Sequence, residues 1–263
     1  MLPLVDIFLL CLIPAAALLA GGGLAFAWRP GAQTRSGIQH FTAGVVIAAV
    51  AAELVPALHV TTAPLPMALG FLVGIGAMLA VRRFAGEEHG SGEEHDTGAD
   101  GPAHDDAAAD HAPGTGALLR SALVIAVAVD LAVDGLIAGL TLAGSLQGGL
   151  VIVGALSLEV LFLGLALLVS LRRKGLATLP TLALLAALAA LLPLGGVIGP
   201  VILRALPPEA GIGVMAFATA ALLYLVFEEL LAEAHGSAED SSLTTALLFL
   251  GFLMVLLIKA FLE

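Results

Sequence analysis

Apolar runs of about twenty residues, separated by short polar stretches, recur along nearly the whole chain. Each is long enough to cross the roughly 30 Å hydrocarbon core of a bilayer as a helix. The pattern predicts eight spans, over about 4–27, 38–59, 65–83, 117–143, 149–171, 177–203, 210–234 and 242–262. The last two are split by His235-Gly236-Ser237-Ala238-Glu239-Asp240-Ser241-Ser242. Backbone polar groups inside a bilayer must be satisfied within helices, so the fold class is all-α and polytopic. One membrane domain results: residues 1–84 hold helices 1–3, residues 85–116 a polar loop, and residues 117–263 helices 4–8. No soluble domain of any size fits between the spans.

Composition agrees with this pattern. The 263 residues are 60% hydrophobic and 12% charged, and the mean hydropathy is +1.08. The first apolar run is expected to be a true helix rather than a cleaved signal, because it follows Asp6 instead of a basic start and continues to Trp28. The single cysteine, Cys11, permits no intrachain disulfide.

Lysine and arginine set the orientation. With eight spans, Arg29, Arg35, Arg82, Arg83, Arg120, Arg172, Arg173 and Lys174 fall on one side, and Arg204 and Lys259 on the other. The bias places both termini outside. The connection between the seventh and eighth spans dissents, since it should face the cytoplasm but carries acids and no positive charge.

Most of the net charge of −11 comes from the polar loop, which contains nine Asp or Glu, four His and no Lys or Arg. Its Gly-, Ala- and Asp-rich sequence has nothing to bury and predicts a disordered cytoplasmic linker. His89, His95, His104 and His111, interleaved with carboxylates, can also bind divalent metal weakly.

Against this background three acids stand out. Asp130 and Asp134 lie one helical turn apart on one face of the fourth span, and Glu159 follows in the fifth. Ionisable groups at membrane depth are costly and mark ion or proton pathways. Further acids and histidines sit near span ends: Glu53 and His59 toward the outer mouth, and Glu228, Glu229, Glu233 and His235 toward the inner one. Ser157 reads as a packing or helix-bonding serine, and His40 as an interfacial residue with no ligand role. Gly21-Gly22-Gly23 lacks the context of a phosphate loop and reads as a packing element.

The chain also repeats itself. Glu53-Leu54 with His59 and Glu229-Leu230 with His235 share the same six-residue separation. The first copy ends at the outer face and the second at the inner face. Such matches mark inverted-repeat transporters, here helices 1–3 against helices 6–8.

The order of these features resembles the ZIP family of divalent metal transporters. His40-Phe41-Thr42-Ala43-Gly44 through Glu53-Leu54-Val55-Pro56 reads like the family's second helix. Asp130-Leu131-Ala132-Val133-Asp134-Gly135-Leu136-Ile137-Ala138-Gly139 resembles H-N-x-P-E/D-G-L-A-I-G, and Glu159-Val160-Leu161-Phe162-Leu163-Gly164-Leu165-Ala166 resembles H-E/N-x-P-E-G-L-A. The resemblance implies eight spans with both termini outside, a His-rich loop between the third and fourth, a homodimer, and fourth and fifth helices that carry metal and move against the second, third, seventh and eighth.

Carried over residue by residue, the resemblance implies an altered metal site. Asp130 and Glu159 replace ligand histidines, and Asp134 keeps an acidic ligand position. Leu163 replaces an acid, while Leu131, Val160 and Leu192 remove the second site's partners. Val133 and Phe162 replace two prolines, which makes straighter fourth and fifth helices the expectation. One carboxylate-rich site remains. It suits Mn²⁺, Fe²⁺ or Mg²⁺ better than a His-rich site does, without excluding Zn²⁺. Three such charges cannot all stay ionised without a cation, so a proton is expected to occupy the empty site and leave as metal enters.

The expected function is metal uptake toward the cytoplasm. A ZIP-like sensor, or a protein that has lost transport, is the alternative. An enzyme is not expected: an intramembrane aspartyl protease needs aspartates on facing helices and a G-x-G-D motif, which is absent. No cofactor is expected, zinc, manganese or iron being cargo. The expected partners are divalent metal ions, the lipid bilayer and a second copy, with no nucleic acid. The Ala-, Leu- and Gly-rich composition suits a bacterial inner membrane.

Overall fold

The computed structural model describes residues 2–28, 30–58, 63–87, 122–173, 178–227 and 242–262. Every regular element among them is helical. Helix α1 spans Leu4–Ala27, α2 Ala32–Ala49, α3 Pro64–Glu87, α4 Ala122–Gly144 and α5 Leu146–Arg173. Helix α6 runs in two segments, Thr178–Ala189 and Leu191–Ala205, followed by α7, Pro208–Leu225, and α8, Ser242–Leu262. Seven helical stretches are long and apolar enough to cross a membrane, and Glu209–Leu225 is apolar but shorter.

Local chemistry explains the boundaries. Pro64 and Pro208 open α3 and α7, where a missing N–H has no helical partner to lose. Ser145 alone separates α4 from α5, and its Oγ accepts from the Gly148 N–H at 3.2 Å, capping α5. The break in α6 at Ala190 precedes Pro193, which cannot donate to the carbonyl one turn earlier. Without prolines, α4 and α5 run as uninterrupted α-helices of 23 and 28 residues. Helix α2 begins at Ala32, ahead of the expected 38, because a helix can extend past the apolar core with polar residues such as Gln33 and Thr34. Likewise α3 continues to Glu87, three residues into the stretch assigned to the polar loop.

The helices pack as four close pairs. Helix α1 lies along α5 and α4 along α6; α2 lies along α8 and α3 along α7. The first two pairs join into one group, which the α2–α8 pair meets mainly through α2 with α5 and the α3–α7 pair through α7 and α3 with α4. Helices α2 and α4 are the most buried spans, while α3 and α8 are the least and show leucines and phenylalanines outward.

Glycine brings the backbones together in all four extensive pairs. A Cβ on Gly21 would strike the Leu161 carbonyl, and one on Gly164 the Leu18 carbonyl. The same holds for Gly135 against Leu192, Gly139 against Gly196, Gly44 against Leu248, Gly251 against Phe41, and Gly70 against Gly213. Close approach of this kind is how helices associate where burial from water offers no driving force. In Gly21-Gly22-Gly23 the first two glycines meet neighbours and Gly23 faces open space.

Helix α2 ends in a π-helical segment, Val50–Leu54, before a last turn, Val55–Ala57. Its widened backbone is held from α8: the Lys259 ammonium donates to the Ala52 carbonyl at 2.7 Å and pairs with Glu53 Oε1 at 3.0 Å. Glu53 Oε2 fills the space a Cβ on Gly148 would need, so this carboxylate also reaches the start of α5. Lys259→Met is expected to cost about 1–3 kcal/mol, the scale of a hydrogen bond lost from a charged group. Lys259→Arg should retain most of that stability, and unfolding midpoints of purified protein measure both.

Candidate metal site

Where the α2–α8 pair meets the group of α1, α4, α5 and α6, a cavity of about 80 Å³ lies between α2, α4 and α5. Helix α5 presents Glu159, Phe162, Leu163 and Ala166 to it, the i, i+3, i+4, i+7 face of one helix. Helix α4 contributes Asp130, and α2 contributes Arg35, Gln39 and Thr42. The cavity extends from the two carboxylates to Pro30 and Arg35 at the start of α2.

The two acids are deeply placed, Asp130 being 4% and Glu159 7% exposed. Buried carboxylates need a positive charge or strong hydrogen bonds to stay ionised. The volume is far below the roughly 300–1,000 Å³ of pockets that hold organic ligands, so the cavity matches a small ion. Arg35, lining the same cavity, brings the only positive charge among the described lining residues.

Asp134 lies one turn beyond Asp130 and is completely buried, yet it is not among the residues lining the cavity. Among the described residues, no three His, Cys, Asp or Glu are grouped so as to hold a metal ion. The cavity therefore brings together Asp130 and Glu159, while Asp134 stands apart. Glu53 is engaged with Lys259 at the other end of α2. His59, His89, His95, His104, His111, Glu228, Glu229, Glu233 and His235 lie outside the described residues.

Two polar residues of α2 carried no weight in the sequence. Gln39 is 7% and Thr42 1% exposed, and among the described residues Gln39 Oε1 and Thr42 Oγ1 have no hydrogen-bond partner. Their i, i+3 spacing, which puts both on one face of α2, was the available signal. His40, between them, is turned to its own helix: its ring Nδ1 bonds the Ser36 carbonyl at 2.9 Å. Ser157 donates to the Val153 carbonyl at 2.6 Å, the helix-bonding role expected of it.

A sequence model of the ZIP zinc transporter family matches residues 83–259, which covers α4 to α8 and well over half of the chain. No curated protein matches it.

Proposed function

Because the chain belongs to the ZIP zinc transporter family, a family of divalent metal transporters, we propose that it carries a divalent metal ion inward through a single carboxylate-rich site. The observation that carries this reading is the small cavity between α2, α4 and α5, walled in part by the buried Asp130 and Glu159. These two acids hold the ion directly. Asp134 is the third carboxylate, one turn farther along α4, where an ion arriving from the opposite end meets it first.

We read the protein as eight spans with both termini outside, and the packing supports this. Arg204 donates to the Leu2 carbonyl at 3.3 Å, joining the end of α6 to the chain's start. The Arg172 guanidinium lies 4.8 Å from the Phe26 ring, joining the end of α5 to that of α1. On this threading the cavity reaches toward the cytoplasmic, basic face. Two features favour the inverted repeat. Exchanging helices 1–3 with 6–8, and 4 with 5, turns the α1–α5 pair into α6–α4 and the α2–α8 pair into α7–α3. π-Helical backbone also begins at Val50 and at Val226, each three residues before the glutamate of its repeated motif.

The sensor reading differs in one measurable respect. Purified protein in liposomes is expected to pass Mn²⁺, Fe²⁺, Zn²⁺ or Mg²⁺ saturably, with a clear order among them. Saturable binding of every ion without flux of any would sink the carrier reading and support a sensor. In the family context the second copy, the bacterial inner membrane and collection of metal by His89, His95, His104 and His111 belong to the same proposal.

A further inference from the structure

Two carboxylates cannot complete the shell of a divalent cation, which takes six or more oxygen ligands when the ion is hard. The remaining donors must come from water or from neutral protein oxygens. The cavity offers two such oxygens. Gln39 and Thr42 line it and are more than nine-tenths buried, and among the described residues Gln39 Oε1 and Thr42 Oγ1 have no hydrogen-bond partner. A buried polar atom left unsatisfied costs about 1–3 kcal/mol, so two of them beside two buried carboxylates are costly unless something occupies the space between.

We propose that Gln39 and Thr42 are cation ligands, completing with Asp130 and Glu159 an all-oxygen site selective for hard divalent ions of the Mn²⁺ class. The inference rests on the reading of this cavity as the transport site. Among the described residues its donor set is two carboxylates, an amide carbonyl and a hydroxyl, with no imidazole or thiolate. Such a set favours Mn²⁺ and Mg²⁺ on softness, whereas nitrogen and sulfur donors favour Zn²⁺. The cavity also has room for water to fill the remaining positions.

The placement of the donors has a second consequence. Asp130 and Glu159 stand on α4 and α5, which pack with α1 and α6, while Gln39 and Thr42 stand on α2, which packs along α8. The ion is thus held between α2 and the α4–α5 pair, and binding fastens them together. Helix α2 lies outside the stretch that matches the family model.

The test compares Gln39→Leu/Thr42→Val with Asp130→Asn, using Mn²⁺ alone as probe and the full-length purified protein. Free Mn²⁺ is followed by its paramagnetic resonance signal. The double variant is expected to bind Mn²⁺ about 10-fold more weakly, the lower end of the change seen when groups supporting a metal are removed. Without metal it should unfold at the same temperature as the parent or higher, because apolar groups of similar shape replace unsatisfied polar ones. Its stabilisation by Mn²⁺ should shrink. Gln39→His should shift the preference toward Zn²⁺ over Mn²⁺, a change that a packing role would not produce.

Unchanged Mn²⁺ affinity in the double variant, beside lost affinity in Asp130→Asn, overturns the helix-α2 ligands and leaves the transport site standing. Unchanged affinity in both variants, or no Mn²⁺ binding by the parent, overturns both. A metal-free double variant that unfolds at a lower temperature assigns Gln39 and Thr42 to structure and also overturns the proposal.

Discussion

Asp130→Asn and Glu159→Gln are each expected to abolish metal flux while leaving the helices assembled. The charges lining the cavity explain why. Asp130 and Glu159 contribute two negative charges and Arg35 one positive charge, so the lining is net negative by one. Neutralising either acid brings that sum to zero and removes the attraction that compensates the ion for its lost hydration. It also removes one of only two anionic donors. Changes to groups that merely support metal ligands cost about 10–100-fold in affinity, so removal of a ligand should reach about 100-fold or more. The amides keep the size of the acids they replace and leave no cavity.

Asp134→Asn discriminates between two parts of the same reading. Asp134 is buried but does not line the cavity. Equilibrium affinity for Mn²⁺ should therefore fall less than with Asp130→Asn, while flux falls as far. Flux into liposomes, read beside equilibrium binding, checks both parts. Full flux in Asp130→Asn and Glu159→Gln would place the pathway elsewhere.

Much of this arrangement was legible in the sequence because the bilayer imposes a simple rule. Apolar runs of fixed length had to be helices, and the span at 242–262 coincides with α8. The acids of α4 and α5 stood out because charge is costly at that depth. Helix ends were less legible: nothing in a bilayer stops a helix from continuing into the interface, and α2 starts six residues ahead of the expected position. The π-helical segment at Val50–Leu54 also escaped, since it depends on a lysine about two hundred residues away in the chain.

The surroundings of the acids are less legible, for a related reason. Periodicity places Asp130 and Asp134 on one face of α4, but not how that face is divided between neighbours. In the fold Asp130 lines the cavity, and the fully buried Asp134 is not among its lining residues. Gln39 and Thr42 were hidden because neutral polar residues are tolerated in membrane helices, where they usually bond within their own helix, as Thr141 does to the Ile137 carbonyl at 2.9 Å. Only the partners in space separate a satisfied threonine from one that lines a cavity with its hydroxyl unsatisfied.

Gly139 provides the largest expected effect on assembly, and the sign of a small substitution there is diagnostic. In a helix with open space around it, alanine is favoured over glycine by about 1 kcal/mol. Gly154 on α5 is such a position, with nothing within 4 Å of an added Cβ. Gly154→Ala should therefore hold or raise stability. At Gly139 an added Cβ would overlap the Gly196 carbonyl on α6, which is backbone and cannot rotate aside. The neighbours repeat the constraint: Gly135 meets Leu192, Gly195 meets Ala132, and Gly199 meets Leu136. Gly139→Ala must push α4 and α6 apart along this seam, so it is expected to destabilise by about 1–3 kcal/mol, the usual scale of overpacking. Gly139→Leu should leave little folded protein. Because α4 carries Asp130, the milder variant should also weaken metal binding in the fraction that folds. Thermal unfolding of Gly139→Ala beside Gly154→Ala decides the point: equal behaviour of the two would mean that the close α4–α6 seam does not hold the site together.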